Sequence, residues 1–252
     1  MEMFSNKGKK AIVTGGTRGL GHGMAEGLME AGAEVVIFGS NEKVYSVVEE
    51  FKNRGFKCHG VKIDLSIRQE ITDGFNEAIE KLGGKIDILV NCAGMNRPGP
   101  ADKIAINDWD AVLSVNINAA FMLCQMAGRI MLGQGSGRII NIASLISFFG
   151  GNGIPAYAAS KGAIMQLTKS LSNDWAPRGL RVNAIVPGYM VTDLNARIIN
   201  DKERYEHITS RIPVGRWGTP NDLKGLVVFL SSEASEYITG AIIPVDGGYM
   251  VK

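Results

Sequence analysis

Cysteine is scarce: the 252 residues hold three, Cys58, Cys92 and Cys124, far apart and with no C-x-x-C pair. That excludes a disulfide framework and the usual zinc-ligand spacing, and leaves buried or half-buried thiols as the expectation. Histidine is equally sparse, with His22, His59 and His207 scattered, so no metal is assigned. An excess of one charge is missing too. The 27 basic and 25 acidic residues give a formal net charge of +2, and no basic block suggests a nucleic-acid or membrane-surface partner. No stretch is expected to reach the ~20 apolar residues of a membrane span. Met1 to Lys10 carries no signal-type apolar run, so the expected location is cytoplasmic. There is no internal repeat, low-complexity segment or linker, and a single domain over residues 1–252 is expected.

What is present is a rhythm. Short β-branched runs occur at Ala11–Val13, Glu34–Phe38, Val61–Ile63, Ile86–Val90, Arg138–Ile142, Arg181–Val186 and Ala241–Val245. Segments with helical spacing lie between them, such as Met24, Leu28 and Ala31. Near-continuous apolar strands, alternating with amphipathic helices, predict an α/β fold with a parallel sheet covered on both faces. The least regular stretch, Pro187 to about Arg211, reads as a loop or short-helix flap.

The first strand runs into Gly15-Gly-Thr17-Arg18-Gly19-Leu20-Gly21 and then a helical pattern. A sharp strand-to-helix turn demands unusual backbone angles, and a pyrophosphate laid on a helix N-terminus tolerates no nearby β-carbon. The spacing is G-x-x-x-G-x-G, not the commoner G-x-G-x-x-G. After the second strand come Gly39, Ser40 and Asn41 with no carboxylate in the turn, and Glu42 lies beyond it. A carboxylate there is the usual partner of the NAD ribose hydroxyls. Its absence, with Arg18 placed to face a 2′-phosphate, leans towards NADP(H). The alternative for Arg18 is a solvated turn residue. Ser40 and Asn41 can bond either ribose, and His22 is left with a minor cofactor contact.

Tyr157 and Lys161 stand four apart in a helical stretch and so share a face. A tyrosine of pKa ~10 is a poor acid/base at neutral pH, and an ammonium one turn away brings it towards the working range. Ser144 closes the strand ending Ile140-Asn-Ile-Ala, where its hydroxyl can bond a substrate oxygen.

Taken together, Thr14-Gly-Gly-Thr-Arg-Gly-Leu-Gly21, Asn91-Cys-Ala-Gly94, Asn116, Ser144, Tyr157-x-x-x-Lys161 and Pro187-Gly188 resemble the short-chain dehydrogenase/reductase family over nearly the whole chain. The resemblance implies a Rossmann-type doubly wound sheet of seven parallel strands and an NAD(P)-dependent oxidoreductase. It implies Tyr157 as general acid/base and Lys161 on the nicotinamide ribose. Ser144 would hold the substrate oxygen, and Asn116 would anchor a water that relays protons. It also implies a cofactor surface made by the glycine turn, Asp64 and Leu65, Asn91, Ala93, Gly94, Ile185, Pro187, Gly188 and Thr192, with Asp64 on the adenine amino group. Helix capping is the alternative for Asp64, and a polar mid-helix position for Asn116. Cys92 departs from the family's usual second asparagine and is expected to fill packing space.

The segments Leu145–Gly151, Asn183–Met190 and Arg211–Gly218 are similar to the sugar-acid members of that family. The expected substrate is therefore a small gluconate or keto-deoxy-gluconate. Arg97 would grip its carboxylate, Ile146 and Tyr189 would line its site, and Asn195 and Arg197 would close over it. The alternative for Arg97 is a surface loop arginine. Competing readings are a 3-oxoacyl carrier-protein reductase, which wants a basic docking patch, and a cofactor-sensing regulator, which would be expected to lose Tyr157 or Lys161. The family also implies a homotetramer, with the apolar tail from Gly240 at an interface.

Overall fold

A computed structural model describes residues 2–252; Met1 lies outside them. The apolar runs form seven strands: β1 (Lys10–Thr14), β2 (Glu34–Gly39), β3 (Cys58–Lys62), β4 (Ile88–Asn91), β5 (Gly137–Ile142), β6 (Leu180–Pro187) and β7 (Ile242–Val245). All pair in parallel, in the order β3-β2-β1-β4-β5-β6-β7. Helices α1 (Gly19–Glu30), α2 (Lys43–Asn53), α3 (Arg68–Lys81), α4 (Ile106–Leu113), α5 (Ala119–Gln134), α6 (Pro155–Trp175), α7 (Ala196–Ile199), α8 (Lys202–Ser210) and α9 (Asn221–Ser231) complete the chain.

The strands are mainly apolar because both sheet faces are covered; Asn141 of β5 and Asn183 of β6 are buried polar exceptions, hydrogen-bonded to Thr168 and the Ile238 carbonyl. Ala11, Val13, Val35, Ile37, Ile88 and Val90 point to one face, against Met24 and Leu28 of α1, Phe51 of α2 and Leu223 of α9. Ile12, Val36, Phe38, Leu89 and Ile139 point to the other, against Phe75 of α3 and Leu123 and Met131 of α5. Neighbouring residues of one strand thus feed opposite cores, as the two-residue period of a strand requires.

One strand starts earlier than its apolar run. Val61–Ile63 was the expectation, yet Cys58, His59 and Gly60 already pair with Val35, Val36 and Ile37. Cys58 and Gly60 are buried and His59 half-buried, but none of the three is β-branched, so the strand's start carries no apolar β-branched signal. The 187–211 stretch does fold as a flap: a 3-10 turn at Asp193–Asn195, then α7 and α8.

A further difference lies in the continuous helical stretch Ile106–Gln134. By length and composition it is apolar enough to cross a membrane, contrary to the expectation that no segment would be. Its α5 part sets Leu123, Ala127 and Met131 against the sheet, which is how the core helix of an α/β protein also comes to be apolar. Between α4 and α5 the stretch widens into a π-helical turn at Ser114–Asn118.

The strand order reverses at β1. Chain following β1 leads outward to β2, whereas chain following β4 leads the other way to β5. The connections therefore separate above the carboxyl ends of β1 and β4, and this switch point is where open parallel sheets bind ligands.

Candidate active site

The glycine-rich turn sits at that switch point. Gly15 and Gly19 adopt left-handed angles, φ +67° and +55°, which a side chain would resist. A β-carbon on Gly21 would run into the carbonyl oxygen of Gly15. Thr14, at the end of β1, accepts the backbone N–H groups of Cys92 (3.0 Å) and Ala93 (2.9 Å), tying the turn to the end of β4. Above lies a cavity of about 970 Å³. Gly15, Thr17, Arg18, Gly19, Leu20 and Gly21 line it, as do Ser40, Asp64, Leu65, Ala93, Gly94 and Thr192. Arg18 spans its mouth, its guanidinium 2.6 Å from Asp193 of the flap, with both side chains about two-thirds exposed or more (68% and 73%).

A second cavity of about 1080 Å³ adjoins the first. Ser144, Ile146, Tyr157, Lys161, Pro187, Gly188, Tyr189, Asn195 and Arg197 line it. Leu20, Cys92, Gly94, Asn96 and Thr192 belong to both walls, so the two cavities form one cleft. α6 begins with Pro155 in its first turn, which suits a residue whose missing N–H would have had no helical partner. That start points Tyr157 and Lys161 to one face. The Lys161 ammonium lies 5.7 Å from the Tyr157 ring centroid and donates to the Ile142 carbonyl at 2.7 Å. Ser144, two residues past β5, caps the 3-10 turn Leu145–Ser147 by accepting the Ile146 N–H at 3.3 Å.

Burial acts on both titratable groups of this cluster. Burial pushes the Tyr157 phenol up, and the Ser144 hydroxyl pulls it only partly back. Burial also drives the Lys161 ammonium down to about 8. Desolvation is the largest influence on the phenol, and Cys92 adds to it.

Asn116 occupies the π-helical turn, a distortion common at functional sites. Its Oδ1 accepts the Met95 N–H (2.8 Å), while its Nδ2 donates to the Met95 carbonyl (2.9 Å) and to Ser160 Oγ (3.0 Å). It therefore clamps the segment after β4 against α6, beside Gly94 and the lysine.

Several expected residues are not brought to the cleft. Arg97 pairs with Asp108 and lines neither cavity. Asn91 is buried and donates to Asn141 Oδ1 at 2.9 Å, bracing β4 against β5. Asn41 accepts the Lys43 N–H at 3.1 Å, at the start of α2, and is absent from the cavity wall. Ile185 is fully buried in the core. His22 stacks on Phe51, 4.7 Å between ring centroids, so the minor cofactor contact is not seen. Asp64 lines its cavity, and its Oδ1 also accepts the Ser66 N–H (2.8 Å) and hydroxyl (2.7 Å). These bonds close a turn before α3, whose N-cap is Ile67, so Asp64 does not cap the helix. Cys92 does more than fill space, since it forms part of both walls, and burial holds its thiol up at about 12.

Other residues of the wall went unread. Arg204, Arg211 and Tyr249 line the Tyr157 cavity, and Asn96 lines both with its buried Oδ1 unpaired. Only Asn96 carried a signal, as a polar residue just past a strand's carboxyl end. The others come from distant parts of the chain.

A family model described as enoyl-(acyl carrier protein) reductase matches residues 15–250. The 2-dehydro-3-deoxy-D-gluconate 5-dehydrogenase of Pseudoalteromonas atlantica is 46% identical over 99% of both chains. A 3-oxoacyl-[acyl-carrier-protein] reductase of Aquifex aeolicus is 41% identical over 96% of this chain and 97% of its own. Among solved structures, a gluconate 5-dehydrogenase from Burkholderia cenocepacia in complex with NADP and tartrate superposes with a TM-score of 0.95. It is 38% identical and covers 100% of this chain and 98% of that one.

Proposed function

Since the chain belongs to the short-chain dehydrogenase/reductase family, we propose that it is an NAD(P)-dependent dehydrogenase of a small sugar acid, of the gluconate or keto-deoxy-gluconate type, acting as one domain over residues 1–252. The observation that carries this reading is the continuous cleft. A cradle from which β-carbons are excluded opens directly onto the cavity holding Tyr157, Ser144 and Lys161. The residues fit a dinucleotide: the turn suits a pyrophosphate, Ser40 and Asp64 the adenosine side, and Thr192 and Lys161 the nicotinamide side. When bound, that cofactor supplies the hydride acceptor or donor and, oxidised, one positive charge.

The chain's own part is proton handling. Ser144 holds the substrate oxygen, and Tyr157 takes or returns its proton. Lys161 supports the phenolate electrostatically, and Asn116 keeps the lysine's surroundings in register.

NADP(H) is the preferred cofactor in this reading. Glu42, the first carboxylate past β2, is occupied by Lys62 at 2.7 Å, while Arg18 lines the same cavity with its guanidinium on Asp193 of the flap. The Burkholderia relative was solved with NADP. The sugar-acid assignment is supported by the names of the relatives and by the polar wall of the substrate cavity. The protein is placed in the cytoplasm, consistent with three free thiols. It is assigned as a homotetramer, and light scattering that reports a monomer at micromolar concentration would refute the assembly.

The test of function is a screen of gluconate-type acids, their neutral polyols and 3-oxoacyl thioesters with both cofactors, followed by nicotinamide absorbance. Faster turnover of thioesters than of every acid tried would transfer the assignment to acyl reduction.

A further inference from the structure

We infer that Arg211, assisted by Arg204, reads the substrate carboxylate, in the role that Arg97 was expected to fill; the inference rests on the sugar-acid reading above.

Arg97 is committed elsewhere. It pairs with Asp108 and touches neither cavity wall. Arg204 and Arg211 both line the cavity of Tyr157 and Ser144. Neither forms an ion pair with a carboxylate among the described residues, although six other arginines of this chain do. The Arg211 guanidinium stands 4.6 Å from the Tyr249 ring centroid. The guanidinium makes no side-chain hydrogen bond or ion pair among the described residues, so its N–H fork, the edge that binds a carboxylate in bidentate fashion, is uncommitted.

The support beneath that arginine is firm. Tyr249 is buried and meets Tyr189 edge-on, with ring centroids 5.1 Å apart. Tyr189 in turn packs on Trp217 at 5.2 Å. Both arginines are near enough to pull the Tyr189 phenol down, against the burial that raises it. One carboxylate shares this wall, Asp201, and its Oδ1 accepts the Arg204 N–H at 3.1 Å as the cap of α8. Against it stand Lys161, Arg197, Arg204 and Arg211, so the cavity favours an anion. Arg197 lies on the border with the dinucleotide cavity, which leaves Arg211 and Arg204 for the far end of a polyol acid whose reacting carbon is at Tyr157.

The experiment compares the parent with Arg211→Met, Arg211→Lys, Arg204→Met and Arg97→Met. KM and kcat are measured for gluconate and for its neutral counterpart sorbitol, and tartrate binding is measured by calorimetry. Arg211→Met is expected to raise KM for gluconate and weaken tartrate by at least ~10-fold, the scale of a charge-assisted contact. Its kcat should stay within about threefold and its KM for sorbitol should hold. Arg204→Met should give a smaller change. Arg211→Lys, which keeps the charge but loses the fork, should fall between parent and Arg211→Met. An unchanged preference for acid and unchanged tartrate binding in Arg211→Met would overturn the inference, as would loss of the preference in Arg97→Met. A parent with no preference for acids whose tartrate binding Arg211→Met nevertheless abolishes would remove the sugar-acid reading and keep Arg211 as an anion site.

Discussion

Replacing Lys161 by methionine should change how stability depends on pH, by an amount the structure specifies. The lysine is buried, and its ammonium is driven from an ordinary 10.5 to about 8. Each pKa unit corresponds to about 1.4 kcal/mol, so keeping this cation folded at neutral pH costs about 3 kcal/mol relative to the neutral amine. The sign follows from linkage. Between about pH 8 and pH 10.5 the folded chain has released the proton while the unfolded chain still holds it. The unfolded state then binds more protons, and stability from this group rises with pH. Methionine fills a similar volume and does not titrate. The neighbours facing Lys161, Cys92 and Tyr157, are both raised and are common to the two proteins. The stability of the parent relative to Lys161→Met should therefore increase by about 2–3 kcal/mol from pH 7 to pH 10. Loss of the Ile142 hydrogen bond shifts the variant at every pH and drops out of the slope. Urea unfolding at pH 7, 8.5 and 10, followed by tryptophan fluorescence, measures it. A difference that stays flat within ~0.5 kcal/mol would mean that the ammonium is hydrated in the fold and that burial does not govern its charge.

Tyr157→Phe keeps the ring and removes the proton. Turnover should fall at least ~100-fold with cofactor binding retained, checked by steady-state rates beside fluorescence titration. Arg18→Ala should weaken NADP(H) by roughly 10–100-fold and leave NAD(H) nearly unchanged, and equal losses would reduce Arg18 to a turn residue. The Arg18–Asp193 pair is exposed and contributes at most ~1 kcal/mol. Asp193→Ala should therefore tighten NADP(H) by no more than about fivefold, and a large loss instead would show that the flap carboxylate aids binding.

The sheet was legible because a parallel sheet buried on both faces writes each inner strand as a largely apolar run, broken in β5 and β6 only by Arg138, Asn141, Arg181 and Asn183. At the edge strand β3 the run loses its first three residues, because Cys58, His59 and Gly60 are not β-branched although Cys58 and Gly60 are buried. The pair Tyr157 and Lys161 was legible because helix geometry fixes which residues share a face. Asn91 was misplaced because a residue at a strand's end faces the cleft or the core according to pleat phase, and here it turns inward to Asn141. Arg97 was misplaced for a different reason. A long side chain on an irregular segment goes wherever a partner stands, and Asp108 lies eleven positions away on a helix that the glycine-turn logic never touches. Arg211 and Tyr249 meet only because the flap and the tail fold over the same strand ends, a contact between segments with no shared periodicity.

The π-helical turn at Ser114–Asn118 sets a condition on the chain's length. An α-helix advances about 100° per residue, and a π turn holds about one residue more than an α turn. The two ends of the Ile106–Gln134 stretch are thus out of phase by roughly that angle compared with an uninterrupted α-helix. α4 packs against α6, while α5 lies on α3 and the sheet. Deleting a single residue within 114–118 would let the helix close into a regular ladder with better local hydrogen bonding. It would also rotate one end relative to the other, forcing either Val112 out of its contacts or Leu123 and Met131 off the sheet, and it would swing Asn116 away from Met95 and Ser160. The helix can be ideal or the site can be assembled, and the extra residue commits this sequence to the second.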